Sequence, residues 1–239
     1  MPIATDPPAP LGTLLPHWQP PPPPSAEAGL GGQWCRLLPA LAARDADALF
    51  AAHAEDAAGA VWTYLPFGPF AAPADYAAWL AQACQAPDER HYTIVDAQGQ
   101  ALGCAAYLRI QPRAGAIEIG NLAFSPRLQR TTAASEALIL LIRHAFALGY
   151  RRVEWKCNAL NAPSRAAAAR LGFTFEGIFR QATVIKGRNR DTAWYSIIDR
   201  EWPALEAAYA AWLDPANFDA AGCQRRRLSA LTAAALKAS

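Results

Sequence analysis

Apolar positions along the chain repeat with two periods, and each period predicts an element. Leu41 to Ala54 is alanine-rich with apolar residues at helical spacing, and Pro73 to Cys84 repeats the pattern. The clearest helix runs from about Thr132 to Leu148, where positions 134, 137, 138, 141, 145 and 148 follow a 3.6-residue period, with Gly149 as its C-cap. Asn161 to Leu171 reads as a helix with Asn161 as N-cap, Pro163 in its first turn and Gly172 past its end. Glu201 to Leu213 is the last helix predicted.

The other apolar runs are short, β-branched or aromatic, and bounded by Gly/Pro turns. Gln33 to Leu38 predicts a first strand. His91–Asp96, Leu102–Ile110 and Ala116–Phe124 predict an antiparallel meander. Arg152 to Cys157 is a further strand, and Phe173–Ile185 and Asp191–Ile198 flank a Lys-Gly-Arg-Asn-Arg turn. Passing from strand to long helix to strand requires a parallel crossover. The expected fold class is α+β, a mixed and mostly antiparallel sheet with one parallel pair, flanked by helices.

Ten of the 20 prolines fall in the first 24 residues. Proline lacks an N–H donor and favours extended backbone, so residues 1–30 are expected as a tail or surface strap. The domain expected next spans 31–213, with 214–239 as a C-terminal extension. The cluster Arg225-Arg226-Arg227 is assigned to a solvated tail. The net charge is +2, from 22 basic and 20 acidic side chains, and gives no basic stripe for nucleic acid. The five widely spaced cysteines form no Cys-x-x-Cys pair, which argues against a disulfide framework and against a metal site. The most apolar run, Ala137 to Ile142, is closed by Arg143 and too short for a bilayer, and no secretory signal is read at the N-terminus. No membrane partner and a cytoplasmic location are expected.

The segment from Ala116 to Arg180 carries the candidate chemistry. A strand ends at Ser125-Pro126, and a short loop opens a helix of small residues. A strand-to-helix turn gathers free N–H groups and a helix dipole into an anion site. An ordinary connection would have the same pattern. The loop reads Gln129-Arg130-Thr131-Thr132-Ala133-Ala134-Ser135-Glu136-Ala137. Further on stand Asn161-Ala162-Pro163-Ser164, Arg170-Leu171-Gly172-Phe173, Phe175-Glu176-Gly177, Phe179-Arg180-Gln181-Ala182 and Arg190-Asp191 before Trp194-Tyr195-Ser196.

These residues resemble the GNAT superfamily of N-acetyltransferases, and within it the RimJ/RimL-like branch, over about Gly32 to Trp202. The family's Gln/Arg-x-x-Gly-x-Gly/Ala motif is met by Gln129 and Ala134, while Thr132 replaces the central glycine. That glycine would permit close approach and unusual φ. Thr183 replaces a glutamate common in the branch. The resemblance implies acetyl-CoA as acetyl donor, no metal, and direct attack of a primary amine on the thioester. A small amine or amino acid is favoured as acceptor. A protein N-terminal α-amine, or a catalytically silent acetyl-CoA-binding domain, is the alternative. Homodimerisation is left open.

The same resemblance assigns cofactor contacts to Gln129, Arg130, Thr131, Thr132, Ala133, Ala134, Ser135 and Asn161, and thioester-oxygen contacts to the Ala123 and Phe124 N–H groups. Glu118, at the position of the glutamate in histone-acetylating members, is the candidate base. It would otherwise sit on a solvated face or pair with an arginine. Ser164 is the candidate acid for the leaving thiolate, or simply a first-turn helix cap. Trp62, Tyr64 and Phe67 are either a core plug or the acceptor pocket's wall. Lys156 either pairs with Glu154 or lines that pocket.

Overall fold

The computed structural model of the protein describes residues 11–238. Among them, eight strands form one sheet in the order β1-β2-β3-β4-β5-β6-β8-β7. They are β1 (Leu30–Gly31), β2 (Arg36–Pro39), β3 (Arg90–Val95), β4 (Ala101–Gln111), β5 (Ala116–Phe124), β6 (Arg152–Asn158), β7 (Thr174–Ile185) and β8 (Arg188–Ile198). The helices are α1 (Ala42–Ala54), α2 (Pro73–Ala83), α3 (Thr132–Ala147), α4 (Ala162–Arg170), α5 (Trp202–Leu213) and α6 (Leu228–Ala238). Strands β5 and β6 pair in parallel across α3, and the remaining pairs are antiparallel.

The sheet is covered on both faces. Ile117, Ile119, Val153 and Trp155 pack on one face against the apolar stripe of α3, with Ala137, Leu138, Leu141 and Ile142 at its centre. The other face holds Cys104 of β4 and Ala123 of β5, which meet Leu49 of α1, Trp62, and Tyr76 and Leu80 of α2.

Three expectations change. The first strand begins at Arg36, three residues late, and is preceded by the short β1. The Lys-Gly-Arg-Asn-Arg turn narrows to Lys186 and Gly187, both at positive φ (49° and 73°), as a tight two-residue hairpin demands. Residues 188–190 are therefore strand. The third change is α6, which the sequence reading left inside an undivided extension. Leu228, Leu231 and Thr232 are buried there, and Thr232 Oγ1 donates to the carbonyl of Arg170 at 3.1 Å.

Residues 1–10 of the proline-rich segment lie outside the described residues. Beyond them, Trp18 lies over Gly115 and takes the Arg151 guanidinium 5.7 Å from its ring centroid. Pro21 and Pro24 are buried, and Pro24's carbonyl accepts from Arg90 Nε at 3.3 Å. Trp18→Ala is expected to lose about 1–2 kcal/mol of burial and cation–π energy. At about 2–4 °C per kcal/mol for a chain of this size, the thermal midpoint should fall by about 2–8 °C. An unchanged unfolding curve would show that this segment contributes nothing.

Candidate active site

Strands β5 and β6 pair only from Ala116 opposite Arg152 to Ile119 opposite Trp155. Beyond that point β5 bulges. Ala106 faces Gly120 but Cys104 faces Ala123, so three steps on β5 match two on β4, and Asn121 takes a left-handed φ of 50°. A bulge bends its strand, and β5 turns away from β6. The Ser125 N–H donates to Leu102 of β4, so antiparallel alternation turns the N–H and C=O of Phe124 the other way, into the gap. Its carbonyl accepts from the Gln129 side-chain amide at 2.8 Å. The gap opens into a cleft of about 1910 Å³.

One end of the cleft is built to receive negative charge. Thr131 caps α3, its Oγ1 accepting from the Ala134 N–H at 3.1 Å and donating to the Leu128 carbonyl at 2.7 Å. Gln129, Arg130, Thr131, Thr132, Ala134 and Ser135 line this end, together with Asn161 of the α4 cap and Arg170. The positive φ in the loop falls on Arg130 (62°), and Thr132 is an ordinary first helical residue. The missing glycine therefore costs no backbone strain. Burial pulls the Arg170 guanidinium below its usual range, and it donates to Ser135 Oγ at 2.9 Å. Arg227 is exposed, as expected, but it also lines the same cleft with Gln224, Trp212 and Phe218. The carboxylates lining the cleft are Glu89 and Glu118, and neither belongs to these walls. The donors present thus fit the pyrophosphate and pantetheine of a coenzyme A thioester.

The far side of the cleft carries an ion chain. Glu118, 2% exposed, accepts from Arg109 through both carboxylate oxygens and from Lys156 Nζ at 3.0 Å. Lys156 also holds Glu154 at 2.7 Å, and Arg152 joins Glu154 (2.8 Å) to Glu176 (2.6 Å). Lys156 therefore both pairs with Glu154 and lines the cleft. A carboxylate has about four lone-pair positions, and Glu118 uses three. Gly120 lets Leu108 pack close beside Oε1: a Cβ there would lie 3.4 Å from Oε1 but collide with Leu108 Cδ1 at 2.6 Å.

Ser164 lies on the α4 side of the gap. Its N–H donates to Asn161 Oδ1 at 3.1 Å, so it is indeed the capped first-turn residue. Its Oγ accepts from the Trp155 indole N–H at 3.0 Å, and indole is a donor only, so the serine keeps its own proton to donate. The cap position leaves the hydroxyl free to act as a donor, and Cys157 stands within its reach.

The aromatic loop divides between its two readings. Trp62, 6% exposed, is a core plug, edge-on to His53 (5.0 Å) and Phe70 (5.4 Å). Its ring is not part of the cleft wall, which corrects its assignment to the acceptor pocket. Tyr64 and Phe67 do line the cleft. Tyr64 Oη donates to the Leu160 carbonyl at 3.2 Å, and Lys186 Nζ to the carbonyls of Trp62 (2.8 Å) and Phe67 (3.1 Å). The hairpin tip and this loop thereby roof the Glu118 side. Two assigned cofactor residues also lie outside the cleft wall. The Ala123 side chain is buried and its carbonyl accepts from His53 Nε2 at 3.0 Å, while Ala133 faces a neighbouring groove beside Trp34 and Phe218.

Sequence reading missed Arg109, Lys186, Arg190 and Arg227. Arg190 stood in a quoted motif, Lys186 in a noted turn and Arg227 in a noted basic cluster, and none of these signals pointed to the cleft.

Comparison with known proteins bears on this geometry. The family model "Acetyltransferase (GNAT) domain" matches residues 36–174. A solved GCN5-related N-acetyltransferase from Brucella melitensis is 45% identical, with a TM-score of 0.88 over 92% of this chain and 100% of that one. A GNAT-family protein from Chromobacterium violaceum is 44% identical, with a TM-score of 0.77 over 84% of this chain and 100% of that one. The fold is shared with the Salmonella typhimurium acetyltransferase that modifies the N-terminal serine of ribosomal protein L7/L12. That protein is 23% identical, with a TM-score of 0.63 over 72% of this chain and 99% of it. No curated protein matches.

Proposed function

The chain belongs to the GNAT family of acetyltransferases, and on that premise we propose that it moves an acetyl group from acetyl-CoA to the primary amine of a small acceptor. The observation that carries this is the divergence of the parallel pair, which leaves the Phe124 N–H and the Ser164 hydroxyl facing one gap.

Acetyl-CoA supplies a thioester carbonyl for the amine to attack and a thiolate that leaves. The 129–135 loop and Asn161 hold its phosphates and pantetheine. The Phe124 N–H meets the negative charge that develops on the carbonyl oxygen. Glu118 takes the amine proton through water at its fourth lone-pair position. Ser164 donates to the departing sulfur. Tyr64 and Phe67 line the cleft, with Tyr64 tied to the Leu160 carbonyl, and this aromatic wall favours a small amine or amino acid over a protein N-terminus.

Acetyl-CoA at about 100-fold excess over its Kd should stabilise the protein by about 2.7 kcal/mol. The measurements are a thermal scan, calorimetry, and release of free CoA thiol with a panel of amines. No midpoint shift and no heat defeat the reading. Binding without thiol release across the panel marks a silent binding domain instead.

A further inference from the structure

Arg190 is a cation in the cleft without an anion of its own. It lies on β8 two and four residues from Thr192 and Trp194, so strand alternation puts all three on one face of the sheet. Register fixes which face, since Trp194 stands opposite Lys156, whose ammonium lies 3.9 Å from the Trp194 ring centroid. Glu154, two residues from Lys156, stands opposite Glu118. Arg190 thus shares the Glu118 face, across the sheet from Trp155 and α3.

Among the described residues its guanidinium pairs with no carboxylate, and its Nε is buried without a hydrogen-bond partner. Burial pulls its pKa below the usual range, the expected result for an arginine desolvated without compensation. Glu118 acts on it through space, but Arg109 and Lys156 already hold that carboxylate. Arg109 and Lys156 are held by Glu118 and Glu154, with Arg152 also on Glu154 and Glu89 acting on Arg109 through space, so among the described residues Arg190 is the cation of this cluster left without a contact partner. It presents a planar fork of donors that matches a carboxylate.

We infer that Arg190 binds a carboxylate carried by the acceptor, which makes the substrate class amino acids rather than simple amines. This rests on the acetyl-transfer reading above.

The test pairs each standard L-amino acid with its carboxamide as acceptor and reads CoA thiol release, with acetyl-CoA affinity measured separately by calorimetry. The wild-type protein should prefer the acids by about 10–100-fold in kcat/KM, the usual worth of a charge-assisted contact. Arg190→Gln should raise KM for the acids by that factor. It should leave kcat/KM for the carboxamides, the acetyl-CoA affinity and the thermal midpoint unchanged. Arg190→Lys should restore part of the preference, having the charge but not the fork. Equal use of acids and carboxamides by the wild type overturns the inference, as does turnover confined to amines without a carboxylate. An Arg190→Gln defect equal for both series also overturns it, since that marks a role in the fold or at the leaving sulfur. Loss of acetyl-CoA binding in the wild type is a different result, and it strikes the acetyl-transfer reading itself.

Discussion

Glu118→Gln is expected to lower kcat by about 10²–10⁴-fold, the usual worth of general acid–base catalysis, with acetyl-CoA affinity unchanged. The carboxylate faces the acceptor side, and the walls assigned to the nucleotide are formed by other residues. Arg109 and Lys156 fix its orientation, leaving one lone-pair position for a water. Glutamine keeps the shape and loses the proton acceptor. Activity of the variant should recover as pH rises and more of the amine is already neutral. Ser164→Ala provides the contrast. Its hydroxyl serves the sulfur, so its defect should persist at high pH. Steady-state kinetics over a pH series with a working acceptor decide the matter, and near-full activity of Glu118→Gln at every pH would reduce Glu118 to a structural ion-pair partner.

The second large effect is on stability. Glu136 is buried on α3 and accepts three backbone N–H groups, those of Gln33 (2.7 Å), Trp34 (2.7 Å) and Cys35 (2.9 Å). Gly32 packs against the same carboxylate so closely that a Cβ there would collide with it. Burial, and then the charge of Glu136, push the Cys35 thiol well above its ordinary value. Glu136→Ala leaves three donors without an acceptor, at about 1–3 kcal/mol for each one that stays dry. We expect a net loss of about 3–5 kcal/mol, because water reaches part of the site. The thermal midpoint should then fall by about 6–20 °C. Chemical denaturation measures the same loss, and a change under 1 kcal/mol would show that solvent replaces the carboxylate fully. Glu136, next to Ser135 of the cleft-lining stretch, is in this structure an anchor between α3 and the segment entering β2.

Local order was legible in the sequence. The 3.6-residue spacing of α3 appears as its buried stripe, and the Asn161 cap and Gly172 stop bound α4 where their chemistry requires. Element order required the parallel crossover, and that crossover creates the gap. The strand–loop–helix turn was also legible as the place where helix N–H groups and dipole gather, because capping and dipole effects act within one turn of chain. These features were readable because each depends on residues a few positions apart.

What the sequence left open depends on residues far apart in it. Whether Trp62 is plug or wall was decided by His53, Phe70 and Tyr76 closing round its ring. Lys186 reaches the Trp62 carbonyl across 124 positions, and Glu136 reaches Gln33 across 103. Glu118 is committed to Arg109 and Lys156 while Arg190 is left without a carboxylate, and no local pattern distinguishes these residues. Charge pairing follows which side chains the sheet register brings to one face, and register is a property of strands paired across the fold. Hydrophobic period determined the elements of this protein, and long-range pairing decided which of its charges are free to meet a substrate.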